Sequence, residues 1–274
     1  MPTALIFNLR PSRATTVAAH LGRATHAAIL RLIAEHDPDL ATTIHEGDGA
    51  KPLTVSNVLG LQFSRTGEAD VVPTTDYGVR VTLLNPELEA LMQRWLATPP
   101  AMLELIGTAW EITTIMASSD QHPWAGQMSY AEIAAPTLAR GEAGTRWTME
   151  FVSPVTFRQR GLNQPFPSPD LVFGSLLDKW NAFAPIALPD EVKRFASECM
   201  ATSRFDVRSY GEPTKNGALQ IGAVGQCTYV AVNRDRYWCA CIETLARFAF
   251  WSGVGSGATR GFGRSRLVVR KPRP

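Results

Sequence analysis

Nowhere in this sequence do about 18 apolar residues run together, the length that a membrane-spanning helix needs. The N-terminal MPTALIFNLRP has neither the basic leader nor the long apolar core of a signal peptide, and its alternation reads as a β-strand. Cysteine is scarce: Cys199, Cys227, Cys239 and Cys241 all lie in the last third. Cys239 and Cys241 are spaced CxC, not as the CxxC pairs of a zinc site, so free thiols in a reducing compartment are expected. A cytoplasmic chain with no membrane partner follows. Excess charge is missing too. Lys and Arg number 27 against 25 Asp and Glu, a net charge of +2, so any nucleic-acid contact must rest on a local patch. Finally, 45% hydrophobic and 19% charged residues exclude a disordered chain. The 274 residues fit one large or two ordinary domains.

What is present has a legible order. Leu5 to Leu9 reads as a strand. From Val17, the residues Leu21, Ala24, Ala28 and Leu32 recur at helical spacing, predicting a helix that ends near Asp37-Pro38. A short helix is predicted from Pro38 to His45, then extended segments over PLTVSNVL and YGVRVTLL. Asn85-Pro86 opens a helix over ELEALMQRWLA, and LIGTAWEITTI returns as strand. Strand, helix, strand, strand, helix, strand is the ferredoxin-like order.

After APTLARGEAGT, residues 135–145, the pattern restarts. Strands are predicted at Trp147 to Val152, Phe205 to Tyr210, Gln220 to Val232 and Arg266 to Arg270, with helices at Leu171 to Phe183 and Tyr237 to Trp251. The expected fold is α+β: two tandem ferredoxin-like (RRM-like) domains, each an antiparallel sheet with helices on one face. Their expected bounds are residues 1–134 and 146–274, joined by the linker.

The chain closes on GVGSGATRGFGRSRLVVRKPRP, which contains no acid. Gly253 to Ala258 matches GxGxxA, the fingerprint of a nucleotide-dependent oxidoreductase. The glycines follow a helix instead of a first strand, however, and no ribose-binding acid can follow. No GKS or GKT is present for a P-loop. Two readings stay open on chemistry alone. The amides of Gly253, Gly255, Gly257, Gly261 and Gly263, with Arg260, Arg264, Arg266, Arg270, Lys271 and Arg273, can grip phosphates; equally, they can form a turn and a solvated basic end.

Four stretches carry a resemblance: HDPDLATTIHEGDGAKPLTVS, FVSPVTFR, QIGAVGQCTYV and the GFG before the last strand. In this order they resemble the CRISPR-associated endoribonucleases that cut precursor CRISPR RNA. The resemblance implies that His45 and Lys51 are catalytic. It also implies a third catalytic group, often tyrosine, on the preceding helix; counting back from His45, that position is Leu30, which can do no proton chemistry. Either His45 then works with Lys51 alone, or another group such as His26 or His20 supplies the second proton transfer. His36 suits a helix C-terminus, and His122 lies in a Pro- and Trp-containing loop.

The chemistry fits these residue types. The 2′-hydroxyl of RNA is the nucleophile, imidazoles move protons near neutral pH, and an ammonium meets phosphate charge. No metal or other cofactor is expected, because Glu46 and Asp48 alone make a poor magnesium site. The expected reaction leaves a 2′,3′-cyclic phosphate and a 5′-hydroxyl. RNA binding falls to Arg158, Arg160 and the glycine-rich loop with Arg260, Arg264 and Arg266, around a basic groove between the domains. Phe248-Ala249-Phe250-Trp251 reads as core. The expected partner is the repeat of precursor CRISPR RNA, with other effector-complex subunits as further partners and a monomer or homodimer as the assembly. The rival reading is a non-catalytic subunit that holds guide RNA.

Overall fold

The computed structural model describes residues 1–62, 67–213 and 219–268. They form two units, Met1–Met128 together with Thr259–Gly261, and Ser129–Ala258 with the chain from Phe262 onward.

The first unit runs β1 (Thr3–Pro11), β2 (Thr15–Ala18), α1 (Gly22–Ala34), α2 (Pro38–Glu46), β3 (Leu53–Val55), β4 (Glu68–Val71), β5 (Tyr77–Leu83), α3 (Glu87–Ala97), β6 (Met102–Leu105), β7 (Thr108–Met116) and β8 (Gly126–Gln127). Its main sheet has the order β3-β5-β1-β7-β6, with β8 beside β1. Every pairing is antiparallel. Leaving out β6 and β8, this is the second, third, first and fourth strand of a ferredoxin-like unit. Leu5, Phe7 and Leu9 of β1 meet Ile29 and Ile33 of α1 and Met92 and Trp95 of α3 in one core. Phe7 and Trp95 pack edge to face at 5.5 Å.

Three details depart from the sequence expectation. Val17 lies in β2, which pairs with β4, so the first helix begins only at Gly22. The strand expected from Leu105 to Ile115 is broken by Ile106-Gly107. Both have positive φ (49° and 70°), making a two-residue hairpin between β6 and β7. Asn85, expected at the N-cap of α3, stands one residue before it: Pro86 holds that position, and the Asn85 side chain accepts from the Leu88 amide at 3.2 Å.

The second unit runs α4 (Tyr130–Ala134), β9 (Arg146–Val155), β10 (Phe157–Gln159), β11 (Leu162–Gln164), α5 (Pro169–Phe183), α6 (Glu191–Glu198), β12 (Met200–Pro213), β13 (Leu219–Ala231), α7 (Arg236–Ser252) and β14 (Ser265–Leu267). The sheet order β12-β13-β9-β14 repeats the same topology. Trp180 of α5 and Phe248 of α7 pack edge to face at 5.2 Å, and Ala249 and Trp251 are buried as expected, with Phe250 half-buried. Ala135–Ala139, inside the segment expected to be a linker, is helical; the Thr137 hydroxyl lies 2.6 Å from that of Thr244 on α7. The last strand covers Ser265–Leu267, while Arg270, Lys271 and Arg273 lie outside the described residues. The four cysteines are free. Among the described residues no helix is long and apolar enough to cross a membrane.

Candidate active site

His45 is placed by the way α2 ends. Asp37 caps its start, accepting from the Leu40 amide at 2.8 Å, and Pro38 occupies the first turn. Ala41 and Ile44 face the core, which leaves His45, in the last turn, exposed. Gly47 stops the helix. A β-carbon there would stand 2.8 Å from the Thr43 carbonyl oxygen, so the tight exit needs glycine.

Lys51 returns to this end and binds it. Its ammonium donates to the carbonyls of Ile44 at 2.8 Å, of His45 at 3.3 Å, and of Gly47. These are among the carbonyls that a helix leaves without intrahelical partners. A side chain expected to face phosphate is thus engaged with backbone.

His26 sits on α1, half-buried, on the flank that continues one turn later to Leu30. Burial is the main cause that pushes its imidazole down to about 4, and the positive charges of Arg260, His45 and Lys51 add to it. Those four residues therefore share one electrostatic neighbourhood, entirely within the first unit. Leu30 itself packs partly buried against the core.

Arg260 reaches that neighbourhood through its backbone. A β-carbon on Gly22 would lie 2.2 Å from the Arg260 carbonyl oxygen. The Gly261 amide donates to the Val55 carbonyl at 2.8 Å. Sequence reading placed Arg260 among RNA-binding residues of the distant domain. The electrostatic link between Arg260 and His26 has no local sequence signal, because the two lie far apart in the sequence.

The remaining histidines stand elsewhere. His20 is half-buried, and desolvation lowers its pKa. His36 pairs its Nδ1 with Arg94 at 3.2 Å, and the Nδ1 of His122 accepts from the Trp124 amide at 3.1 Å, both at a distance from α2's end in sequence.

The glycine-rich loop is largely self-contained in the second unit. Gly253, Gly255, Gly257, Gly261 and Gly263 all have positive φ, between 61° and 94°. A β-carbon on Gly255 would lie 2.3 Å from the Thr156 carbonyl oxygen, and one on Gly263 2.5 Å from that of Val254. The amides of Val254, Ser256 and Gly263 donate to the carbonyls of Gly263, Thr156 and Pro154, each at 2.8 Å. The Gly255 amide donates to the Ser175 hydroxyl, also at 2.8 Å. What Gly253, Gly255, Gly261 and Gly263 approach closely is the chain's own backbone, and Gly257 meets the Phe262 side chain.

Lys179, which sequence reading missed, fastens the loop from beneath by donating to the carbonyls of Ser252, Gly253 and Gly255 at 3.2, 2.9 and 3.0 Å. Burial draws its ammonium down to about 7. The negative charge of Asp178 opposes that pull.

The other expected RNA-binding residues lie on the second sheet and its hairpin. Arg158 is exposed on β10. Arg160 and Gly161 form the β10–β11 turn, both with positive φ (50° and 79°), so an arginine occupies a conformation that costs most side chains energy. Arg266 donates to Glu150 at 2.6 Å, and the Arg264 amide donates to the Ser153 hydroxyl at 2.9 Å. Burial, followed by the charge of Arg266, lowers the Arg264 guanidinium to about 10. Among the described residues, no three His, Cys, Asp or Glu side chains gather as a metal site would require.

Two family patterns match this sequence. One described as CRISPR Cas6 N-terminal domain covers residues 1–135, and one described as CRISPR-associated endoribonuclease Cas6 covers residues 149–265. The curated CRISPR-associated endoribonuclease Cas6 of Mycobacterium tuberculosis is 26% identical over 268 residues, 97% of this chain and 76% of that protein. Among solved structures, a Cas6 product complex superposes with a TM-score of 0.81 at 24% identity, covering 98% of this chain and 100% of the other. Cas6 of Thermus thermophilus superposes with a TM-score of 0.73 at 23% identity, covering 98% of both. The structural likenesses bear on fold: tandem ferredoxin-like units.

Proposed function

Because the chain belongs to the Cas6 family of CRISPR-associated endoribonucleases, we propose that it cuts the repeat of precursor CRISPR RNA once per repeat, at a site built on His45 and His26. The observation that carries the reading is the gathering of His26, His45, Lys51 and Arg260 in one unit. Two imidazoles can carry the two proton transfers of metal-free RNA cleavage, and a nearby cation can meet the charge that builds on phosphorus.

The reaction moves two protons. The 2′-hydroxyl beside the scissile phosphate attacks phosphorus and loses its proton to His26, which is neutral at pH 7 because its pKa is lowered to about 4. The bond from phosphorus to the 5′-oxygen breaks, and that oxygen takes a proton from His45. The products are a 2′,3′-cyclic phosphate and a 5′-hydroxyl. His26 lies one helical turn before Leu30 on the same flank of α1, so it serves where the family resemblance puts a tyrosine. Arg158, Arg160 and Arg266 are proposed to hold RNA phosphates on the second unit. The same reading makes the glycine-rich loop a shaped support for Arg260.

The test is incubation of labelled repeat RNA with the purified protein in excess EDTA, beside His45→Ala and His26→Ala. A single cut ending in a cyclic phosphate, lost in both variants while RNA stays bound, is the expected result. Binding without cutting by the wild type, or a cut that needs added metal, would overturn the reading.

A further inference from the structure

We propose that Arg260, and not Lys51, is the cation that meets the non-bridging oxygens of the scissile phosphate, and that Lys51 is a positioning residue that holds the His45 end of α2. The proposal rests on the endoribonuclease reading above.

An ammonium has three N–H donors. Three carbonyls at the end of α2 receive those of Lys51: Ile44, His45 and Gly47. Turning Lys51 toward a phosphate would release all three and uncap the turn that carries His45. In its present place it secures the backbone on which His45 stands, next to the Gly47 amide bonded to the Thr43 carbonyl at 2.9 Å.

Arg260 has the complementary properties. It is exposed, and among the described residues no carboxylate forms an ion pair with its guanidinium. Its backbone is fixed on both sides, by Gly22 against its carbonyl and by the Gly261–Val55 hydrogen bond. Asn57 braces the same place. Its side chain joins the Leu21 amide at 2.7 Å to the Ala19 carbonyl at 2.8 Å, and a β-carbon on Gly261 would lie 3.2 Å from its backbone nitrogen. The charge of Arg260 acts directly on His26, the group assigned to the 2′-hydroxyl. A forked guanidinium whose charge reaches that imidazole suits two phosphate oxygens, gives and takes no proton, and needs no reorganisation as charge builds on phosphorus.

Single-turnover cleavage of repeat RNA tests this, with Arg260→Ala and Lys51→Ala each assayed with and without guanidinium or methylammonium at constant ionic strength. Arg260→Ala is expected to slow cleavage about 100-fold or more, as loss of one charge-stabilising donor does, while RNA affinity falls less than about tenfold. Free guanidinium restores part of that rate, which no structural role for Arg260 would allow. Lys51→Ala also cuts slowly, methylammonium does not restore it, and the Gly47 amide exchanges hydrogen faster. The assignment is overturned if Arg260→Ala cuts at the wild-type rate, if its affinity falls in proportion to its rate, or if methylammonium rescues Lys51→Ala. Arg260→Gln replaces the alanine variant should that fold poorly by circular dichroism. His45→Ala in the same assay separates the two failures: a cut retained there removes the site itself, not only the role of Arg260.

Discussion

Gly22, at the first position of α1, lies so close beneath Arg260 that a β-carbon at position 22 would stand 2.2 Å from the Arg260 carbonyl oxygen and 2.6 Å from its carbonyl carbon. Neither is a movable side-chain end. Gly22→Ala must therefore push the 259–261 segment or the start of α1 aside. The expected cost is about 1–3 kcal/mol, read as a lower Tm. Cleavage slows by more than the stability loss explains, because Arg260 moves from His26.

The lowered pKa of His26 makes a pH prediction of definite sign. The unfolded imidazole takes its proton near 6.5, whereas the folded one waits until about 4. Between those values the unfolded state binds more protons, so stability falls as pH drops from about 6.5 toward 4 and is fully present above that window. His26→Gln should flatten this part of a denaturation-against-pH curve. A curve of the same shape in the variant would assign the acid sensitivity to other groups.

Activity adds a second reading of the same group. Bound phosphate offsets the positive charges that help depress His26. The acid limb of kcat is therefore expected at higher pH than that of kcat/KM, since the first reports the complex and the second the free enzyme. Coincident limbs would count against His26 as the base.

Arg160 sits at a positive-φ position beside Gly161, where Asn-Gly is the favoured pair for this turn. Arg160→Asn should keep or raise the Tm while weakening RNA binding. The log–log salt dependence becomes shallower by about 0.7, the increment for a single phosphate on single-stranded RNA. Unchanged binding would remove Arg160 from the RNA surface.

Lys179→Met leaves the Ser252, Gly253 and Gly255 carbonyls without their shared donor. A loss of about 1–3 kcal/mol is expected in denaturant unfolding. A variant as stable as the wild type would show that water satisfies those carbonyls as well as the ammonium does.

The ferredoxin-like order was readable because α1, α3, α5 and α7 carry clear apolar periodicity and the main strands are rich in Val, Ile and Phe. β2 escaped because TTVA is only four residues long and borrows its partner from Glu68–Val71, far along the chain. His45 and Lys51 were readable together because only a short glycine-containing turn separates them. What Lys51 binds was not readable, since an ammonium near a helix end can face carbonyls or solvent on identical spacing. The glycine-rich loop misled differently. Glycine announces close approach of backbone, but not whose, and here Gly255 and Gly263 make room for Thr156 and Val254. That the charge of Arg260 reaches His26 is a tertiary relation with no local trace.

The assignment of Thr259–Gly261 to the first unit also orders events in time. A ribosome delivers Met1 to Met128 long before it delivers Arg260, so this part of the first unit emerges with His26 and His45 and without the Arg260 guanidinium. Under the proposed function, RNA that met such a half-chain would find an incomplete site. On the proposed reading, cutting would have to wait for translation of the glycine-rich turn and the second unit.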